Sequence, residues 1–278
     1  MKRIWFNMAL HKGRIEMSPL DRGLALGDGL FETLAVNGDV ALWRFEHVER
    51  LKKAADELGI PFPETEIENA IDALIHRLRG HQVMRLTLTG GEGGRGLAAA
   101  GKKPQLIGTL MPFDASLRFM PMTLVTSSVR RNLHAPSSRM KTLSYIDNIV
   151  AAREAVTRHV DDALMLNTAG RVACTTIGNL FVEKNGVLHT PAMSEGILPG
   201  VMRDAVVRVA KQSGIVVKEK LMKPGEVQNA DALFVTNSLR FLRPVTKLDG
   251  VNYATRSELL AIIMLSLLKT EQEQLILN

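Results

Sequence analysis

Cysteine, aromatic side chains and long apolar runs are all scarce in this 278-residue chain, and each scarcity removes a class of protein. A single cysteine, Cys174, rules out an intramolecular disulfide and any multi-thiolate metal site, and it fits a reducing compartment, with the cytoplasm as default. The seven histidines show no HExxH or paired spacing, so no metal site is expected. Aromatics make up only 5% of the chain, and the 35 Lys and Arg are spread along it, which argues against nucleic-acid binding despite the net charge of +6. The most apolar stretch, Leu259 to Leu268, is shorter than the roughly 20 residues a membrane helix needs. The N-terminal MKRIWFNMALHKGRIE carries charge inside what would be the apolar core of a signal peptide. No unit of roughly 20 to 50 residues repeats, so solenoids and propellers are not expected.

What remains is an ordinary folded composition, 46% hydrophobic and 23% charged, with length for one large or two medium domains. In FEHVERLKKAADELGIPFP, Phe45, Val48, Leu51, Ala55 and Leu58 recur at helical spacing until Gly59 and Pro61 stop the pattern. ETEIENAIDALIHRLRG repeats the design through Ile67, Ile71, Leu74 and Leu78. In QVMRLTLTG the period then changes to two, with Met84, Leu86 and Leu88 alternating against Arg85, Thr87 and Thr89. A composition shift between Gly90 and Phe113 places a junction near residues 112 to 120, giving domains 1–115 and 120–278. Beyond it, Asn185-Gly186 predicts a hairpin turn, Met202 to Gln212 a helix, Ile215 to Leu221 and Ala232 to Val235 strands, and Thr255-x-x-Glu258 a capping box opening a last helix. Strands and helices mix without strict alternation, which predicts an α+β fold rather than a doubly wound sheet.

Three segments invite chemistry. The loop GGEGGRG, Gly90 to Gly96, could cradle an anion, but it lacks the Lys-Ser/Thr ending and following helix of a nucleotide loop, so it reads as a glycine-rich turn. Lys141 precedes a helix whose face is marked by Ile146, Ile149, Val150 and Ala152. On spacing alone it is either a solvated surface residue or, beside apolar walls, a Schiff-base lysine. Pro199-Gly200 before a helical pattern presents the N–H groups of Gly200, Val201 and Met202 as a seat for phosphate, or is an ordinary helix start. A Schiff-base lysine together with a phosphate seat fits pyridoxal phosphate.

Six islands, in order, resemble the class IV (fold-type IV) pyridoxal-phosphate enzymes, which include 4-amino-4-deoxychorismate lyase and the D-amino acid and branched-chain aminotransferases. They are Gly27-Asp-Gly-Leu-Phe-Glu-Thr33, His47-Val-Glu-Arg50-Leu, Lys141-Thr-Leu-Ser-Tyr-Ile-Asp-Asn148, Gly178-Asn-Leu-Phe181, Leu198-Pro-Gly-Val-Met-Arg203 and Thr236-Asn-Ser-Leu239. The resemblance implies a small N-terminal and a larger C-terminal domain with the cofactor between them, and a homodimer whose partner contributes to the site. It implies that Lys141 forms the Schiff base and moves protons as a general acid/base. Arg50, the backbone of Val201 and Met202, and the Ser238 hydroxyl would hold the phosphate, and Phe31 and Thr33 would face the substrate, although core packing explains Thr33 equally.

One position departs from the family pattern. Where the family places a Glu against the pyridine nitrogen, five residues before the Asn of its GNLF-like motif, this chain has Cys174. A ring without an anionic partner is less protonated and draws electrons more weakly. Gly91-Glu-Gly-Gly-Arg-Gly96 and Thr236-Asn-Ser-Leu-Arg-Phe-Leu-Arg-Pro-Val245 look more like the lyases than the branched-chain aminotransferases. A lyase yielding p-aminobenzoate and pyruvate is therefore expected, with an amino acid aminotransferase as the alternative. Arg85, Arg95, Arg130, Arg131 and Arg240 are available for a substrate carboxylate, Arg95 foremost.

Overall fold

The computed structural model describes residues 3–94, 96–98 and 101–277, and the chain divides into two compact units. The first comprises Met1–Asp114, Met140–Ser144 and Gln274–Asn278; the second comprises Ala115–Arg139 and Tyr145–Glu273. The strand-like segment carrying Lys141 thus belongs to the first unit, although it follows the 112–120 junction in sequence.

The first unit holds β1 (Arg3–Phe6), β2 (Ala9–Lys12), α1 (Arg22–Leu26), β3 (Gly29–Asn37), β4 (Val40–Ala41), α2 (Arg44–Leu58), α3 (Glu64–Ile75), β5 (His81–Thr89), β6 (Glu92–Gly93), β7 (Gly101–Lys102) and β8 (Leu106–Pro112). Six strands form a sheet in the order β2-β1-β8-β5-β3-β4, and α2 and α3 cover one face of it. Alternation decides which face. Leu30, Leu34, Met84, Leu86 and Leu88 point to the helices, where they meet Val48, Leu51, Ala55, Ile67, Ile71 and Leu74 in one core. Phe31, Thr33, Arg85 and Thr87 point to the opposite face, with Thr33 paired to Arg85 and Phe31 to Thr87. The predicted helix to Leu78 ends at Ile75, and Leu78 packs from the following turn.

The second unit holds β9 (Met122–Arg131), α4 (Pro136–Arg139), α5 (Ile146–Thr157), β10 (Asp162–Asn167), β11 (Val172–Thr175), β12 (Asn179–Lys184), β13 (Val187–Pro191), α6 (Val201–Gln212), β14 (Val217–Lys220), α7 (Pro224–Gln228), β15 (Ala232–Asn237), β16 (Phe241–Leu248), β17 (Val251–Asn252) and α8 (Glu258–Leu277) as far as Glu273. The strand order is β11-β10-β9-β16-β15-β12-β13-β14, and β11 also pairs with β12 through Cys174 and Asn179. That pairing closes six strands into a ring filled by Leu164, Leu166, Leu180, Val182, Leu233, Val235 and Val245.

Two local expectations change. In α5 the packed face is Ala151 and Ala155, against Val125, Ala163 and Met165 of β9 and β10, while Ile146, Ile149 and Val150 are exposed. Small side chains let the helix lie close to the sheet, so size and not apolar character selects the inner face. The last helix is capped by Ser257, whose Oγ accepts the Leu260 N–H, and not by Thr255. Among the described residues no helix is long and apolar enough to cross a membrane.

Candidate active site

In the first unit, the Lys141 segment runs against the start of β3. The Phe31 N–H donates to the Lys141 carbonyl at 2.9 Å, the Leu143 N–H donates to the Gly29 carbonyl at 2.9 Å, and Leu30 pairs with Thr142. Backbone pairing therefore fixes where the lysine stem begins. Its Nζ lies 4.3 Å from the centre of the Phe31 ring, and the Arg85 guanidinium lies 3.8 Å from the same ring. One aromatic ring, 6% exposed, touches both cations, an arrangement favoured by the ring quadrupole.

On the helix side of β3, one residue along, Glu32 is buried among apolar neighbours and answers two residues of α2. Arg50 Nε and Nη2 donate to its two carboxylate oxygens at 2.8 and 2.6 Å, and His47 Nδ1 lies 2.7 Å from Oε2. Burial alone would raise the Glu32 pKa, but Arg50 and His47 outweigh it and hold the carboxyl well below the usual range. His47 moves the other way: burial, against the pull of Glu32, lowers it, and the charges of Arg50 and Lys141 add to the drop. The result is a neutral imidazole donating to a carboxylate that grips Arg50 by one edge of its fork. Arg50 itself keeps 12% of its side chain exposed.

The second unit supplies backbone rather than side-chain charge. Gly200 caps α6 in an extended conformation, and the first amides of that helix, Val201 and Met202 among them, have no carbonyl partner within the helix. A Cβ at Gly200 would sit 2.0 Å from Oδ1 of Asn179, whose Nδ2 donates to the Leu198 carbonyl at 3.0 Å. Asn179 thus packs the turn tightly, and glycine is required by space rather than by φ. Cys174 pairs directly opposite Asn179 across the β11–β12 closure and packs with Ala173 and Ile197. Burial pushes its thiol pKa up, partly offset by Arg131, so the thiol is neutral. Ser238 lies half-buried in the turn after β15, where Asn237 Oδ1 accepts the amides of Leu239 and Arg240. At the end of β15 the buried Thr236 Oγ1 has no hydrogen-bond partner.

The arginines separate clearly. Arg131 gives Nε to the Gly196 carbonyl and Nη2 to the Ser138 carbonyl, Arg130 donates to the Ser127 carbonyl and Arg240 to the Leu117 carbonyl. Arg85 is the described one that shares a ring with Lys141, while Arg95 lies outside the described residues. The glycine-rich loop is a short hairpin, β6 against β7, and no helix follows it. Taken unit by unit, the groups present suit pyridoxal phosphate: in the first a lysine amine on an aromatic ring and a partly exposed arginine, in the second a glycine-capped helix start and an orphaned threonine hydroxyl. Cys174 fits its ring nitrogen only as a neutral neighbour.

Glu32, His47, Asn179 and Thr236 stand inside the quoted islands, but the sequence assigned them no role. The signal for the first two lay in their positions: a carboxylate on the helix-facing register of a strand, and a histidine one turn from Arg50 on the buried side of α2. Among the described residues no group of three or more His, Cys, Asp or Glu is placed to hold a metal ion.

Residues 29–248 match the family model for amino-transferase class IV. The chain is 34% identical to a Methanocaldococcus jannaschii protein named as a branched-chain-amino-acid aminotransferase, covering 84% of this chain and 83% of that one. It is 31% identical to the aminodeoxychorismate lyase of Bacillus subtilis, over 87% and 84% of the two chains. A crystal structure from Legionella pneumophila, named as a 4-amino-4-deoxychorismate lyase, superposes with a TM-score of 0.88 at 32% identity, covering 93% of this chain and 97% of that one.

Proposed function

The chain belongs to the amino-transferase class IV family, and within it we propose that the protein is a 4-amino-4-deoxychorismate lyase, releasing p-aminobenzoate and pyruvate. It is a pyridoxal-phosphate-dependent enzyme. The observation that carries the lyase reading is the Phe31 ring with Lys141 on it at 4.3 Å and Arg85 at 3.8 Å: an amine and a guanidinium suited to a carboxylate stand on one side chain. The sequences of the glycine-rich hairpin and of the β15–β16 segment support it, as do the similarities to the Bacillus and Legionella proteins.

Bound pyridoxal phosphate supplies an electron-withdrawing ring that stabilises negative charge at the substrate carbon bearing the amine. Lys141 anchors the cofactor and then holds and moves the proton at that carbon. Phe31 shields the amine from water, Thr33 lines the same face, and Arg85 takes a substrate carboxylate in bidentate fashion, aided by Arg95. As the resemblance implies, Arg50, oriented by Glu32, would hold the phosphate, and the amides of Val201 and Met202 and the Ser238 hydroxyl would donate to it. Cys174 would give the ring nitrogen no charge, so electron withdrawal would be weaker. A reaction that ends by forming an aromatic ring tolerates that weakness, because aromatisation itself drives the loss of pyruvate.

The test is to give cofactor-loaded protein 4-amino-4-deoxychorismate and follow p-aminobenzoate. Product formation that Lys141→Ala abolishes is expected. A second reading, an amino acid aminotransferase, is favoured by the 34% identity to the Methanocaldococcus protein. It replaces the first if no p-aminobenzoate appears while an amino acid bleaches the cofactor band and a 2-oxo acid restores it. A cytoplasmic homodimer accompanies either reading, checked by sedimentation at the mass of two 30.6 kDa chains.

A further inference from the structure

β13, β14 and α7 take no part in the roles above. Beyond the six-strand ring of the second unit, β13 and β14 continue the sheet from β12. Register sets Val182 opposite His189 and His189 opposite Lys218, so one sheet face carries the three in a row, with Lys184 and Lys220 two residues further along their strands. The chain after β14 brings Met222 and then α7 to that face, and a cavity of about 260 Å³ remains there.

The floor of the cavity is apolar, since Val182 and Met222 both belong to the core that fills the ring. Its rim is basic. Lys184 Nζ meets Asp231 at 2.7 Å, and the second oxygen of that carboxylate accepts the Asn185 amide at 2.7 Å. Lys220 Nζ meets Glu226, whose second oxygen accepts the Lys223 amide at 2.8 Å. Both acids are therefore already engaged through both oxygens. Lys218 has no acidic partner among the described residues. At His189, between these groups, burial lowers the pKa, and the charges of Lys220 and Lys218 outweigh that of Glu226. The imidazole is neutral, and the potential around it is positive. Gly225 of α7 also lines the cavity, and a Cβ built on it meets nothing within 4 Å.

We propose that this cavity is a second ligand site, taking a small carboxylate whose apolar body lies on Val182 and Met222 while its charge meets the Lys184 and Lys220 ammoniums. The volume falls just below the roughly 300–1,000 Å³ of drug-sized ligand pockets, which suits a single ring or branched chain. A cationic ligand would face lysines and find both acids taken. The class includes p-aminobenzoate and branched 2-oxo acids alike, so the site stands apart from which reaction the enzyme performs.

The experiment uses the full cofactor-loaded chain, with benzoate as probe and the imidazole resonances of His189 as local reporter, identified by their loss in His189→Gln. Because the reporter sits in the cavity wall, benzoate bound elsewhere does not register. A saturable shift with a Kd of about 1 mM or tighter is expected. Benzamide, the neutral isostere, is expected to bind at least about fivefold more weakly. Gly225→Leu, which puts a side chain into the open space, should weaken benzoate by at least about tenfold, and Lys220→Gln by about three- to tenfold. Resonances that do not move, or do not saturate by about 20 mM benzoate, would overturn the site. So would benzamide binding as tightly as benzoate, or wild-type affinity in either variant with an unchanged melting temperature. Should Gly225→Leu not fold, Lys220→Gln and benzamide decide the matter, and a failed site leaves the lyase reading untouched.

Discussion

The two units set the residues proposed for the cofactor in opposite surroundings. The first uses side-chain ions in the dry: Glu32, Arg50 and His47 form a buried cluster whose partners set one another's protonation. The second uses neutral groups, a glycine-capped helix start and a thiol opposite Asn179, and places no carboxylate at Cys174. The difference teaches where each unit is fragile. Side-chain ions fail when a partner or the pH changes, whereas a backbone site fails only when its shape does.

The largest break comes from Lys141→Ala, which removes the proposed anchor and proton carrier. Turnover should fall by about a thousandfold or more, read from product formation, and the cofactor band should move. Turnover close to wild type would remove the first unit from the chemistry altogether. Arg50→Ala comes next. On the proposed reading it strips the phosphate of a charge-assisted bond, and it leaves Glu32 buried without its main partner, so cofactor affinity should drop by about 10- to 100-fold and unfolding should cost about 3–5 kcal/mol less. Equilibrium dialysis and denaturant titration measure the two effects separately.

Gly200→Ala tests the shape side of the comparison. The new methyl must displace Asn179 from its bond to the Leu198 carbonyl, at a cost of about 1–3 kcal/mol and a tilt of the helix start away from the phosphate. A variant with wild-type affinity and melting temperature would mean that the α6 terminus has room to spare. Cys174→Glu sharpens the contrast by importing an ion into the neutral unit. The nitrogen-15 resonance of the ring nitrogen in bound cofactor should shift toward the protonated form; an unmoved resonance would separate Cys174 from the ring.

The smallest effect is on pH. His47 has a lowered pKa in the folded protein, so between that value and the ordinary 6.5 the unfolded chain binds the extra proton and stability falls as pH drops. Glu32, also lowered, adds a loss only in more acid solution, as pH falls from its ordinary value of 4.5 toward its folded one. Melting curves should therefore decline first below about pH 6.5, and His47→Gln should flatten that first decline. An unchanged slope would place the sensitivity elsewhere, with His189, also lowered by burial, the next group to substitute.

The sequence by itself determined the elements and the kind of chemistry. Periodicity marked α2, β5 and α6, Asn185-Gly186 marked its hairpin with Asn185 in the left-handed region, and the ordered islands around Arg50, Lys141 and Leu198-Pro-Gly-Val-Met-Arg203 carried the family resemblance that implies the cofactor, because local conformation and motif order are written in neighbouring residues. Tertiary structure alone decided which residues meet. That Glu32 would stand under Arg50 depends on β3 crossing α2, that Ala151 rather than Ile149 would face the sheet depends on how near α5 can lie, and that Arg22 would reach the glycine-rich arm depends on strand pairing across some seventy residues of chain. Those contacts arise from burial and close packing between distant segments, which no local pattern records.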